Sequence, residues 1–248
     1  MSVIIILDDR ERKNRNMDAV LFDVDDTLYD QREPFERAFY QLFGETYEVD
    51  MEQLFALSRK YSDEAFEHSQ SGKMTMDEMY IYRIRKALKE FDIRIPDESA
   101  LQFQHLYAGY QKQIAVSEVM KEVLTFCRDR VPIGVITNGP SGHQWEKIET
   151  LGLRKWFLDD TIFVSGDVGT AKPAEKIFWY ACDKMKLRGA SVWYVGDSFR
   201  NDVEGAKNAG LHCIWMNRRN HTYPVSKVRP DHCVCSEKEL YQLLQKLL

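Results

Sequence analysis

Two carboxylates two residues apart, Asp23 and Asp25, leave the apolar run Ala19-Val20-Leu21-Phe22 and enter a turn through Asp26 and Thr27. A cluster of anions is costly without a cation, and Mg2+ suits such a place because it takes one or two carboxylates together with water and phosphate oxygens. Alone, an Asp-x-Asp reads better as a pair of solvated turn residues. Three other stretches carry comparable chemistry. Val135-Ile136-Thr137-Asn138-Gly139 presents a hydroxyl and backbone amides ahead of a glycine turn, donors that suit a phosphoryl oxygen, although Thr, Asn and Gly are also ordinary turn residues. In Ala171-Lys172-Pro173 the proline biases Lys172 towards an extended backbone that can aim its ammonium inward; an exposed loop lysine is the plain alternative. Val195-Gly196-Asp197 ends an apolar run in a carboxylate, and Asp202 follows five residues later at an expected helix start, where acids also serve the helix dipole.

These four places do chemistry together only if the intervening elements gather them. Apolar runs at 133–137, 162–165, 192–195 and 213–216, separated by segments of helical length, predict a parallel sheet that includes the first run at 19–22. Ligands of a doubly wound sheet sit beyond the carboxyl ends of its strands, and all four places fall at such ends. From Gln31 to Ala115 apolar residues recur at helical spacing, as in Phe35, Phe39, Leu42 and Phe43, so an all-helical module is expected after the first strand. Its aromatics Phe35, Phe39, Phe43, Tyr47 and Tyr61 read mostly as core. Ser141 is placed to cap a helix ending near Gly152, and Ser236 with Glu239 has the spacing of a capping box. The expected division is an extension over 1–16, a core of 17–30 with 116–248, and a helical domain over 31–115. Met17 is the expected natural start. Ile4 to Asp9 imitates an active-site strand, but Arg10-Glu11-Arg12 supplies neither a second spaced carboxylate nor a hydroxyl.

Composition narrows the function classes. The 248 residues are 44% hydrophobic and 29% charged, as in an ordinary globular protein, with a formal charge of -5 that gives no basic field for a nucleic-acid backbone. The apolar run Val3–Leu7 is too short to span a bilayer and has no basic flank, so neither anchor nor secretory signal is expected and the cytoplasm is the expected location. Five scattered cysteines (Cys127, Cys182, Cys213, Cys233, Cys235) suit reduced thiols better than a disulfide framework. Cys233 and Cys235 read as two side chains on one strand face, and His143 as a surface helix position.

In this order, each at a strand end, the four stretches resemble the motifs of the haloacid dehalogenase (HAD) superfamily. Asp23 to Thr27 is similar to its first motif, Thr137 to its second, Lys172 to its third, and Asp197 with Asp202 to its fourth. The resemblance implies an α/β fold, a Rossmann-like doubly wound parallel sheet with an inserted all-helical cap of the C1 class that sets specificity. It implies a Mg2+-dependent phosphatase of small phosphorylated metabolites in which Asp23 is the nucleophile, forming an aspartyl phosphate. Asp25 would protonate the leaving alkoxide and then deprotonate water. The metal would be held by the Asp23 and Asp197 side chains and the Asp25 carbonyl, with Asp202 further out. Thr137, Lys172 and backbone amides near Val24 and Asn138 would bind the phosphoryl oxygens.

The segments Ile133 to Gly139 and Trp215-Met216-Asn217-Arg218 look similar to the branch containing nucleoside 5'-monophosphatases. A sugar-phosphate phosphatase or a phosphomutase of the same superfamily remains open. The acid at position 25 disfavours a dehalogenase, and the complete set of six motif residues weighs against a catalytically idle binding protein. The expected partner is a small phosphate ester, with no nucleic-acid polymer and no membrane; nothing in the sequence sets the oligomeric state.

Overall fold

The computed structural model describes residues 17–70 and 73–248, so the expectations for residues 1–16 lie outside the described part. The chain divides into two compact units: one made of the described residues up to Asp30 together with Ala115–Leu248, the other of Gln31–Ile114.

The first unit is built on six parallel strands. They are β1 (Ala19–Phe22), β2 (Ile133–Thr137), β3 (Ile162–Val164), β4 (Val192–Gly196), β5 (His212–Met216) and β6 (His232–Val234), in the order β3-β2-β1-β4-β5-β6. Every residue of β1 to β4 is buried, because helices cover both faces of a parallel sheet and no strand can keep a polar side. The order reverses between β1 and β4, the switch point at which a doubly wound sheet opens its ligand crevice. Pairing of Phe22 with Val195 and with Val135 brings the residues after β1, β4 and β2 to one edge.

Among the described residues the second unit holds four helices: α1 (Arg32–Phe43), α2 (Met51–Gln70), α3 (Met76–Lys89) and α4 (Asp97–Gln111). Its core gathers Phe35, Phe39, Leu54, Ile84, Leu88 and Phe103, and the Phe35 ring meets the edges of Phe55 and Phe103 at 5.4 and 5.0 Å. Of the aromatics expected inside, Phe35, Phe39 and Tyr61 are buried, whereas Phe43 and Tyr47 are only half-buried at the end of α1 and beyond it. Thr75 caps α3 with a complete capping box: it accepts from the Glu78 amide, while the Glu78 carboxylate accepts from the Thr75 amide.

Four longer helices flank the sheet: α5 (Glu118–Arg128), α6 (Ser141–Thr150), α7 (Glu175–Lys184) and α8 (Glu237–Leu247). Two local expectations need correction. Ser141 is the first residue of α6 and not its cap; Pro140 occupies that position and supplies no side-chain bond. At α8, Ser236 does accept from the Glu239 amide at 3.2 Å, but the Glu239 carboxylate takes the Cys235 amide at 2.8 Å instead of closing back on Ser236. Cys233 lies in β6 and Cys235 one residue past its end, both exposed. No helix among the described residues is long and apolar enough to cross a membrane.

Candidate functional site

Asp23 follows β1 directly, and its amide donates to the Val195 carbonyl at 2.8 Å, so the ladder between β1 and β4 fixes its backbone. Asp197 follows β4. Asp202 sits in the wide π-type turn Phe199–Glu204, capped by Ser198, whose own amide donates to the Asp202 carboxylate at 2.9 Å. Gly196 makes this approach possible, since a Cβ there would lie 2.4 Å from Asp202 Cγ. The outcome is that Asp23, Asp197 and Asp202 each offer a carboxylate oxygen within 4.8 Å of the others. Among the described residues this is the one such trio of His, Cys, Asp or Glu.

Lys172 bridges two of these carboxylates. Its ammonium donates to Asp23 Oδ1 at 2.6 Å and to the Tyr194 hydroxyl at 2.8 Å, and lies 2.7 Å from Asp202 Oδ1. Three donors thus meet three acceptors, which is what makes a lysine only 5% exposed tolerable. The loop that carries it is held by Asn138, whose amide oxygen accepts from the Lys172 backbone N–H and whose amide nitrogen donates to the Lys172 carbonyl, at 2.9 and 2.8 Å. The Asn138 side chain is therefore committed to placing Lys172.

Burial, reinforced by neighbouring Asp202 and Asp25 against the opposing pull of Lys172, pushes the Asp23 carboxyl up to about 7. Asp197 is driven well above the ordinary carboxyl range by burial and by Asp202, Asp23 and Asp26. At Lys172 desolvation disfavours the charged form, but Asp202 and Asp23 outweigh it and raise its pKa as well. Three carboxylates at -1 each and one ammonium at +1 leave a formal charge of -2 when all are ionised. That deficit is met by taking up protons or by one divalent cation, and an all-oxygen donor set fits a hard ion such as Mg2+.

Asp25 stands apart from this trio. The Lys147 ammonium donates to its two carboxylate oxygens at 2.7 and 2.8 Å, the Gln144 side-chain amide donates at 3.2 Å, and the Tyr29 hydroxyl donates at 2.6 Å. Thr137, fully buried at the end of β2, gives its hydroxyl to Gln144 Oε1 at 3.1 Å. Val24 is buried, and its carbonyl accepts the Leu28 amide at 3.0 Å, forming the turn that follows Asp23. Asp26 adopts φ 57, a left-handed conformation that Asp tolerates better than most residues, and Arg219 Nη2 holds its carboxylate at 2.6 Å. Arg218 donates to the Asp26 and Thr27 carbonyls at 3.1 and 2.9 Å.

Sequence reasoning therefore missed Gln144, Lys147, Tyr194 and Arg219. A signal existed for the first two: three residues apart in a helix, they share a face. Tyr194 is a polar residue inside an otherwise apolar strand, a feature that marks a hydroxyl in need of a buried partner. His143 is exposed on α6, and Arg200 is exposed beside the Asp197 loop.

The chain matches the model of the haloacid dehalogenase-like hydrolase family over residues 17–210, and it belongs to that family. It is 34% identical over 137 residues to the N-acylneuraminate-9-phosphatase of Rattus norvegicus, a match covering 55% of this chain and 54% of that protein. It is 40% identical over 125 residues to the pyrimidine 5'-nucleotidase YjjG of Escherichia coli strain K12, covering 50% of this chain and 54% of the other. The chain thus spans about half the length of these curated relatives in the matched region. A crystal structure of Bacillus subtilis YfnB bound to magnesium superposes with a TM-score of 0.66 at 26% identity, covering 93% of this chain and 99% of that one.

Proposed function

We propose that the chain is a Mg2+-dependent phosphatase of small phosphorylated metabolites that works through an aspartyl phosphate on Asp23. The observation that carries this reading is the junction of Asp23, Asp197 and Asp202 within 4.8 Å, with the Lys172 ammonium on Asp23 and Asp202. Asp23, Asp197 and the Asp25 carbonyl would hold the ion, with Asp202 further out. When bound, Mg2+ supplies positive charge that keeps the carboxylates ionised and offsets charge on the phosphoryl oxygens.

The residues then divide the work. Asp23 attacks phosphorus, forming a new O–P bond as the bond to the leaving oxygen breaks. Asp25 gives a proton to that leaving oxygen, then takes one from the water that attacks the aspartyl phosphate, releasing inorganic phosphate and restoring the Asp23 carboxylate. Lys172 stabilises charge on the transferring group while holding Asp23 in line. Backbone amides near Val24 and Asn138 complete the phosphate cradle, joined by the Thr137 hydroxyl once its one proton turns from Gln144 to a phosphoryl oxygen. The Asn138 side chain contributes indirectly, through the Lys172 loop.

A phosphatase of nucleoside 5'-monophosphates is the narrower proposal, supported by the 40% identity to the E. coli pyrimidine 5'-nucleotidase. An acidic sugar phosphate is the second, supported by the 34% identity to the rat N-acylneuraminate-9-phosphatase. Substrate choice is assigned to the helical unit. A panel of nucleotides and sugar phosphates, assayed for phosphate release with Mg2+ and ranked by kcat/KM against an Asp23→Asn blank, tests both. Preference for pyrimidine nucleotides supports the first; a flat profile, or isomerised sugar phosphate in place of released phosphate, contradicts it.

A further inference from the structure

Lys147 and Gln144 have no part in the motifs that identify the family, yet both are buried polar residues on α6, exposed by only 5% and 2%. A buried lysine on a helix flanking a sheet is expensive unless a partner repays its desolvation. Lys147 repays it entirely at Asp25, where one ammonium spans the two carboxylate oxygens at 2.7 and 2.8 Å. Gln144, one turn earlier, bonds the second of those oxygens at 3.2 Å and at the same time donates to the Asn138 carbonyl at 3.0 Å and accepts from the Thr137 hydroxyl at 3.1 Å.

Space for Gln144 comes from Gly139. Its φ is +152, and a Cβ there would lie 2.6 Å from Gln144 Nε2. The loop after β2 and the buried face of α6 are thereby built around one carboxylate that lies on a different segment of the chain. An aspartate otherwise turns easily about its side-chain bonds, and proton transfer requires its oxygen within about 3 Å of the reacting atom.

From this geometry we infer that Lys147, assisted by Gln144, is a positioning residue that fixes the Asp25 carboxyl for proton transfer to the leaving oxygen. The inference rests on the proposed phosphatase reading. It assigns Lys147 no contact with substrate or metal. Its effect is confined to steps in which Asp25 moves a proton, and this distinguishes it from a residue that merely supports the fold.

The test compares the full chain, Lys147→Met and Gln144→Met on an alkyl phosphate and on p-nitrophenyl phosphate with Mg2+. The alkoxide leaving group needs the proton from Asp25, whereas the nitrophenolate does not, and kcat/KM reports the first chemical step in both. Lys147→Met is expected to lower kcat/KM for the alkyl ester about 10-fold or more while changing that for the aryl ester less than about 3-fold. Gln144→Met should show the same selectivity in smaller measure, and it carries the test if Lys147→Met does not fold. Lys147→Arg, whose fork also reaches two oxygens, should recover part of the alkyl rate. Equal losses on the two esters, or no loss on either, overturn the inference while leaving the phosphatase reading intact. A wild type that releases phosphate from neither ester removes the reading and the inference together.

Discussion

Lys172 and the carboxylates around it form a charge cluster whose balance is set by what joins it. A carboxyl raised from 3.8 to about 7 by burial, as at Asp23, contributes stability that is complete below the unfolded value and is lost as pH rises through about 7. Above that pH the folded chain must hold buried negative charge that the unfolded chain leaves in water. A divalent cation held by the same carboxylates removes this cost, and it competes with protons for them. The upward shift in Tm produced by saturating Mg2+ is therefore expected to be larger at about pH 8 than at about pH 5, measured by thermal unfolding at fixed ionic strength. A shift that is equal at both values, or larger in acid, contradicts cation binding at these carboxylates. Tyr194 completes the group. Its buried hydroxyl accepts from Lys172 and lies 3.1 Å from the Ile136 carbonyl, tying the cluster to β2.

Elements place these side chains to within the reach of a hydrogen bond, and the end of β4 is the tightest example. Gly196 lets Asp202 fold against the strand, so Gly196→Ala is expected to push that carboxylate aside. The predicted cost is about 1–3 kcal/mol in urea unfolding, as for other overpacked buried sites, together with a diminished Mg2+-induced Tm shift. Wild-type stability and an unchanged shift would show that Asp202 does not depend on this approach.

The strands carrying the site were readable because fully buried runs such as Ala19-Val20-Leu21-Phe22 and Val192-Trp193-Tyr194-Val195 have no polar alternation to mistake for a surface strand. Asp23 follows the first run directly, and Asp197 follows the second after Gly196. β6 was legible only through the reading of Cys233 and Cys235 on one strand face, and it is shorter than that reading: His232-Cys233-Val234 is three residues long, with a single buried position, and Cys235 lies past its end. Lys147 and Gln144 escaped for a different reason. Polar residues within an amphipathic helix look like its solvent face; their three-residue spacing puts them on one face, but it is the partner, Asp25, 122 and 119 residues away in sequence, that shows this face to look inward. Asn138 was readable as a site residue, but its side chain supports Lys172, a pairing across 34 residues that no local pattern encodes.

At the scale of the molecule, the six-stranded order β3-β2-β1-β4-β5-β6 explains why residues so far apart in sequence share one site. Asp23 and Asp197 leave the two strands that flank the switch point, and Thr137 leaves the next strand over. Insertion of the four-helix unit after the first motif leaves this arrangement intact, since Gln31–Ile114 has a hydrophobic core of its own. Family membership accounts for the scaffold, and the proposed activity rests on Asp23 acting as a nucleophile. The most direct measurement of that claim is release of phosphate from p-nitrophenyl phosphate with Mg2+, by wild type and by Asp23→Asn, before and after a chelator. The expected result is wild-type turnover that stops with chelator and returns with Mg2+, with Asp23→Asn folded but below about one thousandth of the wild-type rate. A folded Asp23→Asn that keeps the wild-type rate, or wild-type turnover indifferent to the chelator, would contradict it.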